Sequence, residues 1–172
     1  MDGGDRMTFA VFVSHSVSEE DIPYLKELEN RSRSIGIELY LAERSPQPGT
    51  PLSAKVRANI ARTDLVLALL TRQGVASAWV NQEIGLALSQ NKRVLPVLEA
   101  GVKPPGVIAE MEYVRLDPAR PHDAFDRVVT FLGKLKTDKE FWGTVALVAG
   151  SAIIGGFAAY FLTRKDKGAN NQ

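Results

Sequence analysis

The stretch that decides the fold is DLVLALLT, residues 64–71, in which six consecutive apolar residues lie between Asp64 and Thr71. An apolar run this short, without alternating polar residues, is typical of a strand that is covered on both faces. Strands of this kind belong to parallel sheets, whose crossover helices lie on either side. The run therefore predicts an α/β protein built on a central parallel sheet.

The sequence on either side of this run alternates between strand and helix patterns. Further strands are predicted at residues 9–14, 37–41, 94–98 and 113–116. Helices are predicted from the capping pattern Ser18-Glu-Glu-Asp21 to about Arg33, and at residues 52–62, 78–90 and 122–135. This order predicts a flavodoxin-like open parallel five-stranded sheet with helices on both faces. Ligands of such sheets bind at the carboxyl ends of the strands, here the loops 14–18, 42–51, 71–77 and 98–105.

Composition excludes several kinds of site. The 172 residues include no cysteine and two histidines, so thiolate chemistry and Cys- or His-rich metal sites are not expected. The 21 basic and 20 acidic residues nearly balance, whereas nucleic-acid binders usually carry a basic excess, so no nucleic-acid partner is expected. Neither a Gly-x-Gly-x-x-Gly motif nor a Walker loop follows any predicted strand, so the usual dinucleotide and triphosphate cradles are absent.

The segment FWGTVALVAGSAIIGGFAAYFL, residues 141–162, contains no charged residue. As a helix it would be about 33 Å long, enough to cross the hydrocarbon core of a bilayer. A buried central helix is the alternative, but only ten residues follow the segment to cover it. We therefore expect a transmembrane helix that binds the lipid bilayer. The expected organisation is an N-terminal tail (1–6), a folded domain (7–135), a juxtamembrane linker (136–140), the transmembrane helix (141–162) and a basic polar tail (163–172).

The position of this segment predicts the location of the folded domain. The N-terminal sequence MDGGDRMTFA has no signal-peptide pattern, so insertion of the tail after synthesis would leave residues 1–140 in the cytoplasm. The expected topology is a single-pass membrane protein. Basic residues are almost equally numerous before and after the segment, so the positive-inside rule does not fix its orientation.

Candidate site residues cluster in three places. Glu83 lies on the helix predicted at 78–90, one turn after Trp79, and both are expected on a shoulder of that helix, neither buried nor fully exposed. A solvated boundary glutamate is the alternative interpretation. Ser14 and His15 lie at the end of the first predicted strand, where a ligand or simple helix capping would use them. The proline-rich residues 43–51, which include Glu43 and Arg44, are either an exposed connector or a flap over the site.

Three motifs in these places make residues 7–135 similar to a TIR domain. FAVFVSH, residues 9–15, resembles the opening strand of the family. Arg44-x-x-x-Pro48-Gly49 resembles the loop after its second strand, and Ser77-x-Trp79-x-x-x-Glu83 resembles the helix of its NAD-cleaving members. Ala10 and Ser45 depart from the pattern, because each stands where the family usually has an acidic residue.

The resemblance implies that NAD⁺ is a substrate rather than a cofactor. Glu83 takes the position of the family's catalytic glutamate, which engages the ribose next to nicotinamide. Trp79 would then line the pocket, Ser14 and His15 would border the ribose or phosphates, and Glu43 or Arg44 would close over the substrate; these five residues are the expected binding set.

The resemblance further implies a membrane-anchored NAD⁺ glycohydrolase that releases nicotinamide and ADP-ribose or a cyclic isomer. Activity would depend on self-association through the TIR domain, in immune or antiphage signalling. Two alternatives stay open. One is a non-catalytic signalling adaptor that acts through TIR–TIR interaction, and the other is an enzyme like nucleoside deoxyribosyltransferase, with a related fold and glycosidic chemistry.

Overall fold

A computed structural model describes residues 8–41 and 52–148. The chain divides into two units, Met1–Lys136 and Thr137–Gln172. The described strands are β1 (Ala10–Ser14), β2 (Glu38–Leu41), β3 (Leu65–Leu70), β4 (Arg93–Glu99) and β5 (Val114–Leu116). The described helices are α1 (Ile22–Ser34), α2 (Leu52–Arg62), α3 (Arg72–Ala76), α4 (Ala78–Ser89) and α5 (Pro121–Val148), and 3-10 turns lie at Glu19–Asp21 and Gly106–Ile108.

The strands form one parallel sheet in the order β2-β1-β3-β4-β5, which confirms the predicted flavodoxin-like fold. β1 and β3 are neighbours in the sheet, with Ser14 paired to Ala68. From β1 the chain continues to β2 on one side of this pair, and from β3 it continues to β4 and β5 on the other side. The connections that follow β1 and β3 therefore cross opposite faces of the sheet. This topology places the expected ligand-binding crevice at the carboxyl ends of β1 and β3, next to Ser14.

β3 is the centre of the hydrophobic core, and all six of its residues are buried. Leu65, Leu67 and Leu69 lie in a cluster that includes side chains of α1 and α5. The alternate residues of β3 lie in clusters with side chains of α2 and α4. Helices thus cover both faces of the sheet, which is the reason that the β3 sequence has no polar alternation.

β2 is an edge strand of the described sheet. Tyr40 and Leu41 are exposed, although the alternating sequence of residues 37–41 also fits a strand with one buried face. Edge strands have a neighbour on one side only, and they carry exposed side chains more often than central strands do. The strand prediction is confirmed, and its position in the sheet explains the exposure.

The segment between β3 and α4, residues 71–77, is a short helix and not the predicted loop. Thr71 caps α3, because its hydroxyl accepts a hydrogen bond from the Gly74 amide at 3.0 Å. A Cβ atom on Gly74 would lie 2.4 Å from the carbonyl oxygen of Leu69. The cap and the close approach of Gly74 to the end of β3 favour a helical turn over an extended loop.

α5 continues beyond the predicted end at residue 135 and includes residues 136–140, the expected linker. Among residues 8–41 and 52–148, no helix is both long and apolar enough to cross a membrane. Residues 149–162 of the predicted transmembrane segment lie outside the described residues. The anchor therefore stays a prediction from the sequence.

Gly74→Ala and Gly85→Ala test this packing as a pair. The Gly74→Ala change forces a methyl group against a backbone carbonyl and should lower the free energy of unfolding by about 1–3 kcal/mol. Gly85 lies within α4, where an added methyl group would meet open space. Gly85→Ala should therefore raise the free energy of unfolding by about 0.5–1 kcal/mol. Urea unfolding followed by circular dichroism measures both changes. A Gly74→Ala variant as stable as the wild type would contradict the packing described for α3.

Candidate active site

A buried carboxylate lies at the carboxyl end of β1. Ser14, the last residue of the strand, is buried, and its hydroxyl donates a hydrogen bond to Oε2 of Glu83 at 2.5 Å. Glu83 comes from the middle of α4, whose first turn is capped by Ser77 through the amide of Val80. The two residues are 69 positions apart in the chain. The fold therefore brings two predicted site residues together at the crevice.

Glu83 is 2% exposed, so the expected position at a half-exposed boundary is wrong. The apolar stripe of α4 indicates only which side of the helix packs on the sheet. In the structure, α4 also contacts α2 and α3, and these helices flank the sides that a single-helix analysis leaves open. A buried carboxylate costs free energy unless it is hydrogen-bonded, and Ser14 supplies such a bond.

Trp79 lies one turn before Glu83 on the same side of α4. Its side chain is 43% exposed, in agreement with the predicted shoulder position. An indole that is partly exposed beside a buried carboxylate is available to stack against a ligand that enters the crevice. Its role as a pocket wall stays a prediction. Glu43 and Arg44 lie outside the described residues, so their predicted roles also stay predictions.

The loop after β1 is held by a second carboxylate that the sequence patterns do not assign to the site. Ser18 caps the 3-10 turn, as predicted, by accepting a hydrogen bond from the Glu20 amide. Asp21, which completes the capping pattern, instead points inward and accepts a bond from the Ser16 hydroxyl at 2.5 Å. His15 lies between the two anchored serines, and its Nδ1 is 2.5 Å from the carbonyl oxygen of Ser16. The sequence signal that could have identified Asp21 is an acidic residue a few positions after Ser14 and Ser16, at the start of the helix that follows the first strand.

Several acidic side chains lie near the carboxyl edge of the sheet and act on Tyr24. The pKa of the Tyr24 phenol is raised above its ordinary value, first by burial and then by the negative charges of Glu99, Asp21 and Glu20. Glu99, at the end of β4, accepts a hydrogen bond from the Arg72 amide and pairs with the Arg72 guanidinium. Glu99 is therefore partly compensated by Arg72, and the buried carboxyl groups at this edge are those of Glu83 and Asp21.

A groove of about 310 Å³ on α5 lies apart from the predicted site residues. It is lined by Asp126, Arg127, Thr130, Phe131 and Lys134.

Within the part of the chain that the structure describes, no group of three or more His, Cys, Asp or Glu side chains is placed to hold a metal ion.

Family comparison agrees with the fold. The family model for the TIR domain matches residues 11–129, well over half of the chain. The chain therefore belongs to the TIR domain family. No curated protein shows significant sequence similarity to it.

Solved structures similar to this chain include a Toll-related receptor domain, an activated resistosome and an enzyme. The TIR domain of the Toll-related receptor TRR-2 from Hydra magnipapillata is 15% identical, with a TM-score of 0.58 over 72% of this chain and 97% of that one. The TIR domains of the activated Roq1 resistosome, which recognises the pathogen effector XopQ, are 12% identical, with a TM-score of 0.57 over 73% of this chain and 99% of that one. The CMP N-glycosidase BcmB from Clostridium botulinum is 15% identical, with a TM-score of 0.56 over 71% of this chain and 98% of that one. At these identities the similarity shows the fold.

Tyr24→Phe tests the effect of burial and of the neighbouring acidic side chains on the Tyr24 phenol. Because the folded state raises the pKa of the Tyr24 phenol, its contribution to stability is complete below the unfolded value of 10.0 and is lost as the pH rises through the higher folded value. The wild type should therefore lose more stability between pH 8 and pH 11 than Tyr24→Phe does, as measured by urea unfolding. Tyr113→Phe, at an exposed tyrosine, is the matched control. Equal losses in the wild type and Tyr24→Phe would contradict this interpretation.

Proposed function

We propose that the chain is a TIR-domain NAD⁺ glycohydrolase that cleaves NAD⁺ to nicotinamide and ADP-ribose or a cyclic isomer. The observation that carries the proposal is the burial of Glu83 at the crevice, with Ser14 donating a 2.5 Å hydrogen bond to its carboxylate. Buried carboxylates that are held in a crevice by a specific partner are frequent at active sites. The crevice lies where open parallel sheets bind their ligands.

The proposed reaction needs a carboxylate more than it needs an acid. The bond from ribose C1′ to the nicotinamide nitrogen breaks, and its electron pair moves onto the already cationic ring, which leaves as neutral nicotinamide. An oxocarbenium-like positive charge develops on the ribose, as in glycosidases. Glu83 would stabilise this charge and orient the ribose hydroxyls. Water then adds to C1′ and releases a proton, which gives ADP-ribose.

The other residues would bind and orient the substrate. Ser14 holds one Glu83 oxygen, so the carboxylate does not have to reorganise as the positive charge develops. Trp79 would stack at the rim, and His15 would contact the ribose or phosphates. Glu43 or Arg44 would close over the bound dinucleotide from the flap.

The comparisons support N-glycosidic chemistry without defining the substrate. The similar structure of BcmB is described as a CMP N-glycosidase, so this architecture can accommodate cleavage of an N-glycosidic bond. An adaptor would instead act through surfaces that dock other TIR domains, and it would not need a buried carboxylate in the crevice. The location of Glu83 therefore favours an enzyme over an adaptor.

We further propose that residues 141–162 anchor the chain in a membrane, with the TIR domain in the cytoplasm, and that self-association activates it in immune or antiphage signalling. The similar TIR domains of Roq1 were solved within an activated resistosome, which supports assembly as the active form. Confinement to a membrane surface raises the effective concentration of the domains and would promote such assembly.

Glu83→Gln tests the catalytic role. The amide keeps the shape of the side chain and removes the charge, so nicotinamide release should fall by about 10²–10³-fold. The assay follows nicotinamide from NAD⁺ with the full chain clustered in liposomes. Glu112→Gln, which changes an exposed carboxylate, is the control and should retain wild-type turnover.

Three outcomes would contradict the proposed function, in its catalytic residue, in its being an enzyme or in its substrate. Turnover that survives in Glu83→Gln would exclude Glu83 as the catalytic group. Absence of nicotinamide release by the clustered wild type, with co-assembly with other TIR domains retained, would support the adaptor. Transfer of deoxyribose between nucleobases, without cleavage of NAD⁺, would support the deoxyribosyltransferase alternative.

Truncation and a single charge test the membrane anchor. A chain that ends at Lys136 should move from the membrane pellet to the soluble fraction, because it lacks the whole apolar segment. Ile154→Asp, which places a charge near the centre of the segment at a cost of about 2.5–3.5 kcal/mol, should weaken membrane association, whereas Ile154→Leu should not. Quantitative blotting after carbonate extraction measures the distribution. Sedimentation of the truncated chain with membranes would show that another region binds them.

A further inference from the structure

Asp21 is a buried carboxylate to which the proposed reaction assigns no step. It is 1% exposed, although it occupies the N-cap position of α1, which is usually near the surface. Its side chain makes no capping hydrogen bond there, and Ser18 caps the preceding 3-10 turn. Within the described residues, its Oδ2 binds Ser16, and its buried Oδ1 has no hydrogen-bond partner. Keeping such a group buried costs free energy that helix capping does not repay.

Asp21 connects to His15 through Ser16. The Ser16 hydroxyl donates to Asp21 Oδ2 at 2.5 Å and accepts from the Ser18 amide at 3.1 Å. The Ser16 carbonyl oxygen lies 2.5 Å from Nδ1 of His15. A carbonyl oxygen has no proton to donate, so Nδ1 must carry the proton of this hydrogen bond. A neutral His15 then has its lone pair on Nε2.

The two residues beside His15 are both held by buried carboxylates. Ser14 donates to Glu83, and Ser16 donates to Asp21, each at 2.5 Å. The backbone on either side of the imidazole is therefore fixed to α4 on one side and to the start of α1 on the other. Hydrogen bonds to a carboxylate are stronger than those between neutral groups, so these two bonds hold the backbone of residues 14–16 firmly.

We propose that Asp21 is a positioning residue that acts through Ser16 and holds His15 in the Nδ1-protonated tautomer. In this tautomer, Nε2 of His15 accepts a hydrogen bond from a hydroxyl group of the substrate. The identity of that hydroxyl, a ribose hydroxyl of NAD⁺, rests on the proposed function; the tautomer does not. A merely structural Asp21 would stabilise the loop without selecting a tautomer, so the tautomer is the decisive observable.

Nitrogen NMR of the two histidines tests the tautomer directly. The experiment uses the full ¹⁵N-labelled chain in detergent micelles at pH 8.5, and a His122→Gln variant assigns the His15 signals. In the wild type, Nδ1 of His15 should show the shift of a protonated nitrogen and Nε2 that of an unprotonated one. Asp21→Ala should lower the ratio of the Nδ1-protonated to the Nε2-protonated form of His15 by up to about fivefold, because the loss of an anchor of about 1 kcal/mol shifts such an equilibrium by that factor.

Conservative variants separate positioning from folding. Asp21→Asn keeps an acceptor for the Ser16 hydroxyl and should retain most of the wild-type tautomer. Ser16→Ala removes the hydroxyl but keeps the carbonyl, and it should shift the tautomer in the same direction as Asp21→Ala. If Asp21→Ala does not fold, as judged by circular dichroism, Ser16→Ala and Asp21→Asn provide the comparison. An unchanged tautomer in a folded Asp21→Ala or Ser16→Ala variant would overturn the proposal, as would an unprotonated Nδ1 in the wild type.

Kinetics test the link to the substrate. Asp21→Ala should raise KM for NAD⁺ by up to about fivefold, in proportion to the loss of the Nδ1-protonated form that accepts the substrate hydroxyl, and should change kcat much less. An unchanged KM would overturn the substrate contact. If the wild type releases no nicotinamide, the glycohydrolase proposal and the ribose contact fail together, whereas the NMR result still decides whether Asp21 positions His15.

Discussion

β3 is shielded from water on both faces, and the rest of the described fold follows from this constraint. A strand buried on both faces needs helices above and below it, which α1 and α5 provide on one face and α2 and α4 on the other. Parallel neighbours require crossover connections, and right-handed crossovers on the two sides of β1 and β3 leave a crevice at their carboxyl ends. The site therefore lies where two fully buried neighbouring strands, β1 and β3, end.

The crevice combines burial with acidic side chains, two features that rarely occur together in a protein. Carboxylates are usually solvated, yet Glu83 and Asp21 are almost completely buried. Each is held by a serine hydroxyl from the end of β1 or the loop after it. Charges that are already in place, in surroundings that exclude water, stabilise developing positive charge better than solvated ones do. The proposed glycosidic chemistry would use Glu83 directly and Asp21 through the orientation of His15.

Much of the fold could be predicted from local patterns, because burial on one face of a helix or on both faces of a strand leaves a regular signature. The apolar run of β3 and the stripe Val80, Ile84 and Ala87 of α4 are examples. The short helix α3 was missed, since its stability depends on the Thr71 cap and on Gly74 fitting against Leu69. The exposure of β2 also followed from its place at the edge of the described sheet.

The sequence alone determined the alternation of strands and helices, the apolar core and the candidate residues Ser14, His15, Trp79 and Glu83. Only the tertiary structure decided that Glu83 is buried, that Ser14 is its partner and that Asp21 points inward. The physical reason is that periodicity reports which side of an element avoids water. Whether a polar residue at the margin of that side is enclosed depends on neighbouring elements distant in the chain, and for Glu83 its partner Ser14 is 69 positions away.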